Sequence, residues 1–132
     1  MKVHYFPSYG RAEAIRMLLA HAKVEFENVD YTRESFAEAK AAGNFEFGQL
    51  PVLEMEGKLY AQSTAIVRAL GIYNGYYPTD AYDAYRADSI IDSLQDLTQA
   101  YYKAHYNEDE EAKKALFEVF FSKTLPTWFG II

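Results

Sequence analysis

Apolar and polar residues alternate along residues 2–6, and this period of two predicts a short β-strand that stops before Pro7. The spacing then becomes helical over residues 11–22. Four apolar residues fall on one face of this helix: Ala12, Ile15, Leu18 and Leu19. Alternation returns from Val24 to Val29 and predicts a second strand. Strand, helix and strand at this spacing predict a parallel βαβ unit with a right-handed crossover.

A weaker helical pattern follows over residues 32–42, and we expect its cap near Glu34 or Ser35. The pattern is interrupted over residues 43–48, where glycine stands at both ends, so this stretch is predicted to be a loop. These two segments connect the βαβ unit to the next apolar run.

The next apolar run opens at Pro51 and has strand character over residues 52–55. Proline is tolerated at the first residue of a strand, because no ladder donor is lost there. A glycine-containing turn signal separates this run from residues 58–61, so the two runs are predicted to form a hairpin. Ser63 then stands just before another helical pattern and is a good N-cap.

The two junctions around this hairpin could receive a ligand. If the Leu50–Pro51 peptide bond is cis, the backbone N–H and C=O of Leu50 point outward and can pair with an extended peptide. The Ser63 hydroxyl and the free N–H groups of the following helix form a small anion site. Together they suit a ligand that is peptide-like at one end and carries a carboxylate at the other. The alternative is an ordinary hairpin followed by a capped helix.

The second part of the chain is predicted to be helical. Residues 71–80 contain glycine and proline and are predicted to form a linker. A long helix is predicted over residues 81–106, with most of its apolar residues on one stripe: Tyr82, Tyr85, Ile90, Ile91, Leu94, Leu97 and Tyr101. Another helix is predicted to start within the acidic run Glu108 to Glu111, where negative charge is favourable, and to continue over residues 112–123. It turns four residues inward: Ala115, Leu116, Val119 and Phe120. The apolar end, residues 125–132, is expected to stay bare and to promote association.

Charge and composition exclude several classes of function. The net charge is −6, with −1 on residues 1–78 and −5 on residues 79–132, which argues against nucleic acid or an anionic membrane as partner. The absence of cysteine removes disulfides, thiolate metal sites and cysteine-based redox chemistry. No signal peptide is visible, and no apolar run reaches the roughly 18 residues of a membrane span. The cytoplasm is therefore the expected location.

Three motifs resemble the soluble glutathione transferases, and the resemblance covers about residues 2–129. Gly48-Gln49-Leu50-Pro51-Val52-Leu53, followed by Gln62-Ser63-x-Ala65-Ile66-x-Arg68-x-Leu70, resembles their glutathione site. Val3-His4-Tyr5-Phe6, followed by Gly10-Arg11-Ala12-Glu13-x-Ile15-Arg16, resembles the opening of the tyrosine-type classes. The sigma class, with its haematopoietic prostaglandin D synthase branch, is the most similar.

The resemblance implies two domains. Residues 1–74 would form an α/β, thioredoxin-like, glutathione-binding domain in the order βαβαββα. Residues 75–132 would form part of an all-helical domain, of which about the first two helices are present. The chain therefore resembles a family member truncated within its helical domain. A fragment of a longer protein and an exchanged dimer are the alternatives that stay open.

The resemblance also implies which residues act on glutathione sulfur. Tyr5 would donate its hydroxyl to the thiolate, and the charge of Arg11 would lie close to it. Ser8 is the alternative to Tyr5, since other classes use a serine just after the first strand. Phe6 and Tyr101 would line the pocket for the second substrate, a hydrophobic electrophile.

Nine residues are implied to bind glutathione: Tyr5, Phe36, Lys40, Gln49, Leu50, Pro51, Gln62, Ser63 and Asp96. The backbone of Leu50 would pair with the cysteinyl part, and Gln62 and Ser63 would hold the γ-glutamyl end. Lys40 would meet the glycyl carboxylate. Asp96 would reach the glutathione of a partner subunit, which requires a homodimer.

Two departures from the family pattern affect this site. Phe36 stands where the sigma class usually carries tryptophan, so an N–H donor to the glycyl carboxylate is missing. The loop over residues 41–47 is also slightly longer than in similar sequences, which makes the match of Lys40 less secure.

The resemblance therefore predicts a glutathione transferase that uses glutathione as co-substrate and requires no metal. Two alternatives remain open. The chain could be a non-enzymatic member of the family, serving as a structural or interaction module. It could instead be a glutathione-dependent isomerase of prostaglandin-type substrates.

Overall fold

The computed structural model describes residues 1–132, which divide into two units, Met1–Pro78 and Thr79–Ile132. The first unit contains four strands and three helices: β1 (Lys2–Tyr5), α1 (Glu13–His21), β2 (Glu27–Asp30), α2 (Arg33–Ala41), β3 (Val52–Met55), β4 (Lys58–Ala61) and α3 (Ser63–Tyr73). A single 3₁₀ turn, Gly10–Ala12, leads into α1. None of the helices is both long and apolar enough to cross a bilayer.

The four strands form one mixed sheet in the order β2-β1-β3-β4. Strand β1 runs parallel to β2, with His4 opposite Val29, and antiparallel to β3, with His4 opposite Val52. Strands β3 and β4 form the antiparallel hairpin. The predicted thioredoxin-like order, a parallel βαβ unit followed by an antiparallel hairpin and a helix, is confirmed.

The second strand begins at Glu27, later than the alternation from Val24 predicted. The Val24 N–H donates to the C=O of Leu19 at 3.0 Å, which closes the turn after α1. Because this donor is already used, Val24 does not join the ladder, although its side chain packs against the core.

The main core of the first unit lies between the sheet and helices α1 and α3. Eight residues form it: Val3, Ala12, Ile15, Leu19, Leu53, Met55, Ile66 and Leu70. The predicted inner face of α1 is confirmed, because Ala12, Ile15 and Leu19 are fully buried and Leu18 packs against them. Since side chains alternate along a strand, Val3 enters this core while His4 points to the opposite face of the sheet.

The opposite face is covered by a smaller group of rings, here called the aromatic cluster: His4, Phe6, Tyr31, Phe36 and Phe45. Phe45 is almost fully buried, whereas helix α2 contributes no fully buried residue. His4 Nδ1 lies 3.1 Å from the Tyr31 hydroxyl, within hydrogen-bond distance. The cluster anchors α2 and the loop that follows it to the sheet.

Helix α2 is capped by Thr32, so the expected cap at Glu34 or Ser35 was wrong. Thr32 Oγ1 accepts from the Ser35 N–H at 3.1 Å, and Ser35 Oγ accepts from the Thr32 N–H at 2.9 Å. Ser35 thus takes part, but from the third helical position of a reciprocal capping box. The Glu34 backbone N–H and the Thr32 hydroxyl both stabilise the Glu34 carboxylate, which lowers the pKa of that carboxyl.

The second unit contains α4 (Ala81–His105), α5 (Glu110–Val119), a π-helical turn over Phe120–Thr124 and α6 (Leu125–Phe129). Helices α4 and α5 match the two predicted helices, and Asp80 and Asp109 cap them with their carboxylates. Helix α6 was not predicted. Its Trp128 is half-buried and donates from Nε1 to Ser93 Oγ at 3.1 Å.

The predicted inner faces of these helices were partly wrong. Leu97 is buried as expected, but four members of the α4 stripe are exposed: Tyr82, Tyr85, Ile90 and Leu94. In α5, Ala115 and Val119 are exposed, and Phe117 instead contacts Tyr101 at 5.5 Å between ring centroids. One packed neighbour covers only a narrow stripe of a helix, so the remaining apolar residues stay in solvent.

Candidate functional site

Tyr5 ends strand β1, and its hydroxyl lies against the start of the α1 region. The backbone N–H of Arg11, in the 3₁₀ turn, donates to Tyr5 Oη at 3.1 Å. Since the phenol oxygen accepts this bond, its own hydrogen remains available for donation to a ligand. The two residues predicted to act on the sulfur are therefore in direct contact.

Gly10 was not among the predicted site residues, yet it shapes the surroundings of this hydroxyl. Its φ of +43° lies in the left-handed region, which favours glycine. A Cβ at this position would lie 2.6 Å from Tyr5 Oη, so any side chain would displace the tyrosine ring. The presence of Gly10 in the opening motif was the one signal in the sequence that could have pointed to this role. The need for glycine there comes from its close approach to the Tyr5 hydroxyl.

A cleft beside these residues is lined by Arg11, Phe47, Gln49, Leu50, Pro51, Ala61, Gln62 and Ser63. Six of them are predicted site residues, whereas Phe47 and Ala61 were missed. The cleft is narrow and opens to solvent. Arg11 is the one charged residue of this lining, so the cleft favours an anionic ligand.

The Leu50–Pro51 peptide bond in the cleft is cis. The backbone N–H and C=O of Leu50 make no hydrogen bond with other backbone groups. An extended peptide can therefore pair with Leu50 as a short added strand. Strand β3 begins at Val52, directly after this proline, as the predicted strand over residues 52–55 requires.

Ser63 is the first residue of α3, so its expected role as the helix cap was wrong. Because β4 ends at Ala61, Gln62 alone connects strand to helix and occupies the cap position, with φ +68° and ψ 108°. A positive φ is uncommon for a residue with a side chain and often accompanies a functional site. Gln62 Nε2 also donates to Gln49 Oε1 at 3.5 Å, which joins the two sides of the cleft.

The first turn of α3 has no side-chain cap. The leading N–H groups of a helix lack partners within the helix and carry a partial positive charge. Ser63, the first residue of α3, lines the cleft. A carboxylate bound there would lie near this end of the helix.

Three further predicted residues, like Tyr5, are not part of the lining of this cleft. The Lys40 side chain lies against Gly48 at the end of the loop over residues 43–48, since a Cβ on Gly48 would lie 2.9 Å from Lys40 Cε. Phe36 belongs to the aromatic cluster, with its ring 5.5 Å from that of Phe6. The ring of Phe6 in turn lies 5.6 Å from that of Tyr5.

Asp96 and Tyr101 belong to the second unit. Tyr101 packs against the rings of His105, Phe117 and Phe120, so it contributes to the contact between helices. Asp96 is exposed on α4 and lines a groove beside Trp128. No group of three or more His, Asp and Glu side chains in either unit is arranged to hold a metal ion.

Residues 1–70 match the family model described as Glutathione S-transferase, N-terminal domain. Glutathione S-transferase alpha-4 of Rattus norvegicus is 36% identical over 87% of this chain and 52% of its own length. Glutathione S-transferase 2 of Manduca sexta is 38% identical over 87% of this chain and 55% of its own length. Hematopoietic prostaglandin D synthase of Gallus gallus is 33% identical over 85% of this chain and 55% of its own length. The chain thus spans about half the length of these curated relatives.

Solved structures are similar over almost the whole chain. Prostaglandin synthase D of Nilaparvata lugens superposes with a TM-score of 0.89 at 35% identity, covering 98% of this chain and 64% of its own. A Nu-class GST from Haemonchus contortus gives 0.84 at 36% identity, covering 99% and 65%. The monomeric Na-GST-3 of Necator americanus gives 0.87 at 29% identity, covering 98% and 64%.

Proposed function

The chain belongs to the glutathione S-transferase family, and from that premise we propose that its first unit binds glutathione in the cleft beside Tyr5. The protein would then transfer the glutathione sulfur to a hydrophobic electrophile. One observation supports this proposal above others: the Tyr5 hydroxyl accepts a backbone N–H and keeps its own hydrogen for a ligand.

Each part of glutathione has a matching group in the first unit. The cysteinyl backbone pairs with the unbonded backbone of Leu50. The γ-glutamyl carboxylate meets the N–H and hydroxyl of Ser63 at the start of α3, beside Gln62. Lys40 is the candidate for the glycyl carboxylate, and Gln49 and Phe36 complete the contacts.

The chemistry requires glutathione as a thiolate, because the thiolate is the nucleophile. A free thiol has a pKa near 8.5, and lowering it by about two units needs roughly 2.7 kcal/mol of stabilisation. One hydrogen bond to a charged group contributes roughly 1.5–3 kcal/mol. A hydrogen bond from the Tyr5 hydroxyl, with the charge of Arg11 nearby, is therefore strong enough to lower the pKa of the thiol by this amount.

In the reaction, the thiol proton leaves to solvent and the sulfur lone pair forms a bond to the electrophilic carbon. The displaced electron pair goes to the leaving group, or to the conjugated carbonyl of an unsaturated acceptor. Phe6 and Tyr101 are the proposed contacts of the electrophile. The Manduca sexta transferase is 38% identical to the chain and the Gallus gallus prostaglandin synthase 33%, so isomerase activity is not favoured over conjugation.

We further propose that the protein acts as a homodimer in which Asp96 of one chain reaches the glutathione amino group held by the other. The proposed location is the cytoplasm, where thiols are kept reduced.

A Tyr5→Phe variant tests the proposal. We expect kcat/KM for conjugation of a model electrophile to fall about tenfold to a hundredfold, because one hydrogen bond to the thiolate is lost. Glutathione affinity should change little, since the peptide contacts remain. Tyr9→Phe is the matched control, because Tyr9 is 79% exposed. Ser8→Ala tests the alternative nucleophile activator. Full activity in Tyr5→Phe, or its loss in Ser8→Ala alone, would contradict the assignment.

A further inference from the structure

Arg16, near the start of α1, links three parts of the first unit. Its Nε donates to Asn28 Oδ1 in β2 at 2.8 Å, and its Nη1 donates to the C=O of Ser8 at 2.9 Å. The same Nη1 lies 3.0 Å from Glu13 Oε2. The Arg16 side chain is only 15% exposed. Its partners Asn28 and Ser8 lie at exposed positions, and hydrogen bonds from a charged donor are stronger than those between neutral groups.

The segment that Arg16 holds has few other contacts. All four of its residues are exposed, from Pro7 to Gly10. The Ser8 N–H bonds back to the C=O of Phe6 at 2.7 Å, which tightens the turn but does not attach it to the rest of the unit. The bond from Arg16 to Ser8 attaches this segment to helix α1.

The end of this segment determines where the Tyr5 hydroxyl lies. Gly10 approaches the hydroxyl closely, and the next N–H, that of Arg11, donates to it. The guanidinium carbon of Arg16 also lies 5.9 Å from the centre of the Tyr5 ring, within the range of a cation–π contact. Arg16 thus acts on Tyr5 through the backbone segment and through the ring.

We propose that Arg16 is a positioning residue, which fixes the Tyr5 hydroxyl by holding the segment Pro7–Gly10, and with it the Arg11 N–H that follows, against this hydroxyl. Its catalytic consequence rests on the proposed function. A planar guanidinium can donate in two fixed directions at once, here to β2 and to Ser8. A lysine keeps the charge but not this geometry.

The first test measures hydrogen exchange of the Arg11 amide and needs no ligand. In Arg16→Gln we expect this amide to exchange about tenfold faster or more, approaching the rate in Tyr5→Phe, where its acceptor is absent. Arg16→Lys should be intermediate. The Leu19 amide in the same helix reports global stability and should not change. Arg33→Gln, on the exposed start of α2, is the control. An unchanged Arg11 amide in Arg16→Gln would overturn the proposal.

The second test measures the pH dependence of conjugation. In Arg16→Gln we expect kcat/KM to rise at a pH about one unit higher than in the wild type, because a misplaced hydroxyl stabilises the thiolate tenfold less. A purely structural role would reduce the active fraction without moving this profile, and that result would overturn the proposal. If the wild type shows no conjugation, the proposed function fails, and the amide measurement still decides whether Arg16 positions Tyr5.

Discussion

Tyr5 is one of twelve tyrosines, and its contact with the backbone of Gly10 and Arg11 sets it apart from the others. No local pattern of the sequence identifies that contact, so Tyr5 could be predicted only through the family motif. Gly10 and Arg16 stand in the same motif. The contacts of these two residues could not be predicted from the sequence. The close approach of Gly10 to the Tyr5 hydroxyl and the three hydrogen bonds of the Arg16 guanidinium both depend on how strand, turn and helix meet.

Substitution of Gly10 should reduce activity through Tyr5. A Cβ in Gly10→Ala would push the Tyr5 ring away, because the ring is the movable partner of a 2.6 Å contact. We expect kcat/KM for conjugation to fall about tenfold or more, as for a lost thiolate hydrogen bond.

The matched control is Gly75→Ala. Gly75 also has a positive φ, +73°, but an added Cβ there meets nothing within 4 Å. Both variants therefore place alanine at a positive φ, which should lower the free energy of unfolding by about 1 kcal/mol in each. Urea unfolding measures this change. Equal activity in the two variants would show that the space around the Tyr5 hydroxyl has no effect on catalysis.

At the scale of elements, the period of the hydrophobic residues was sufficient to predict the buried face of a helix or strand where that face packs on a single core. The inner face of α1 was predicted because Ile15 and Leu19 meet a complete sheet. The faces of α4 and α5 were not, because aromatic residues such as Tyr82 remain in solvent. Helix α6 was not predicted, although proline is well accommodated in the first turn of a helix, where Pro126 stands.

The cap of α2 provides a test at this scale. Thr32→Ala removes one hydrogen bond of the capping box and should destabilise the first unit by about 1 kcal/mol, measured by urea unfolding. Thr32→Ser should restore most of this stability, since serine caps equally well. Thr79→Ala, at an exposed position, is the control. No difference between Thr32→Ala and the control would contradict this account of the helix start.

The same cap affects the titration of the Glu34 carboxyl. A lowered pKa means that the ionised Glu34 stabilises the fold above its unfolded pKa, and that this contribution is lost as pH falls through its lower folded pKa. Because the Thr32 hydroxyl supplies part of the effect, Thr32→Ala should raise the pKa of Glu34 toward its ordinary value. Carboxyl NMR titration measures this shift.

At the scale of the molecule, the cleft lies entirely in the first unit, whereas most of the net negative charge, −5 of −6, lies in the second. Both units expose large apolar side chains, including Ile72 and Tyr73 in α3 and Phe129 and Ile131 near the end. The order of elements followed from the sequence, but the surface that a partner covers did not, because exposure alone does not identify a partner.

Light scattering tests the proposed homodimer. We expect a mass twice the 15.1 kDa of one chain, because exposed apolar surface of this kind favours association. One similar structure is described as monomeric, so the fold alone does not settle the oligomeric state. A mass of one chain at all concentrations would contradict the homodimer and the cross-subunit role of Asp96.

Calorimetric titration of the folded chain with glutathione tests the central claim most directly. We predict saturable binding with one site per chain, weakened about tenfold or more in Ser63→Ala, since a hydrogen bond to the γ-glutamyl carboxylate is lost. Ser122→Ala, in the second unit, should bind as the wild type does. Absence of binding by the folded wild type, or equal affinity in both variants, would contradict the assignment of the cleft as a glutathione site.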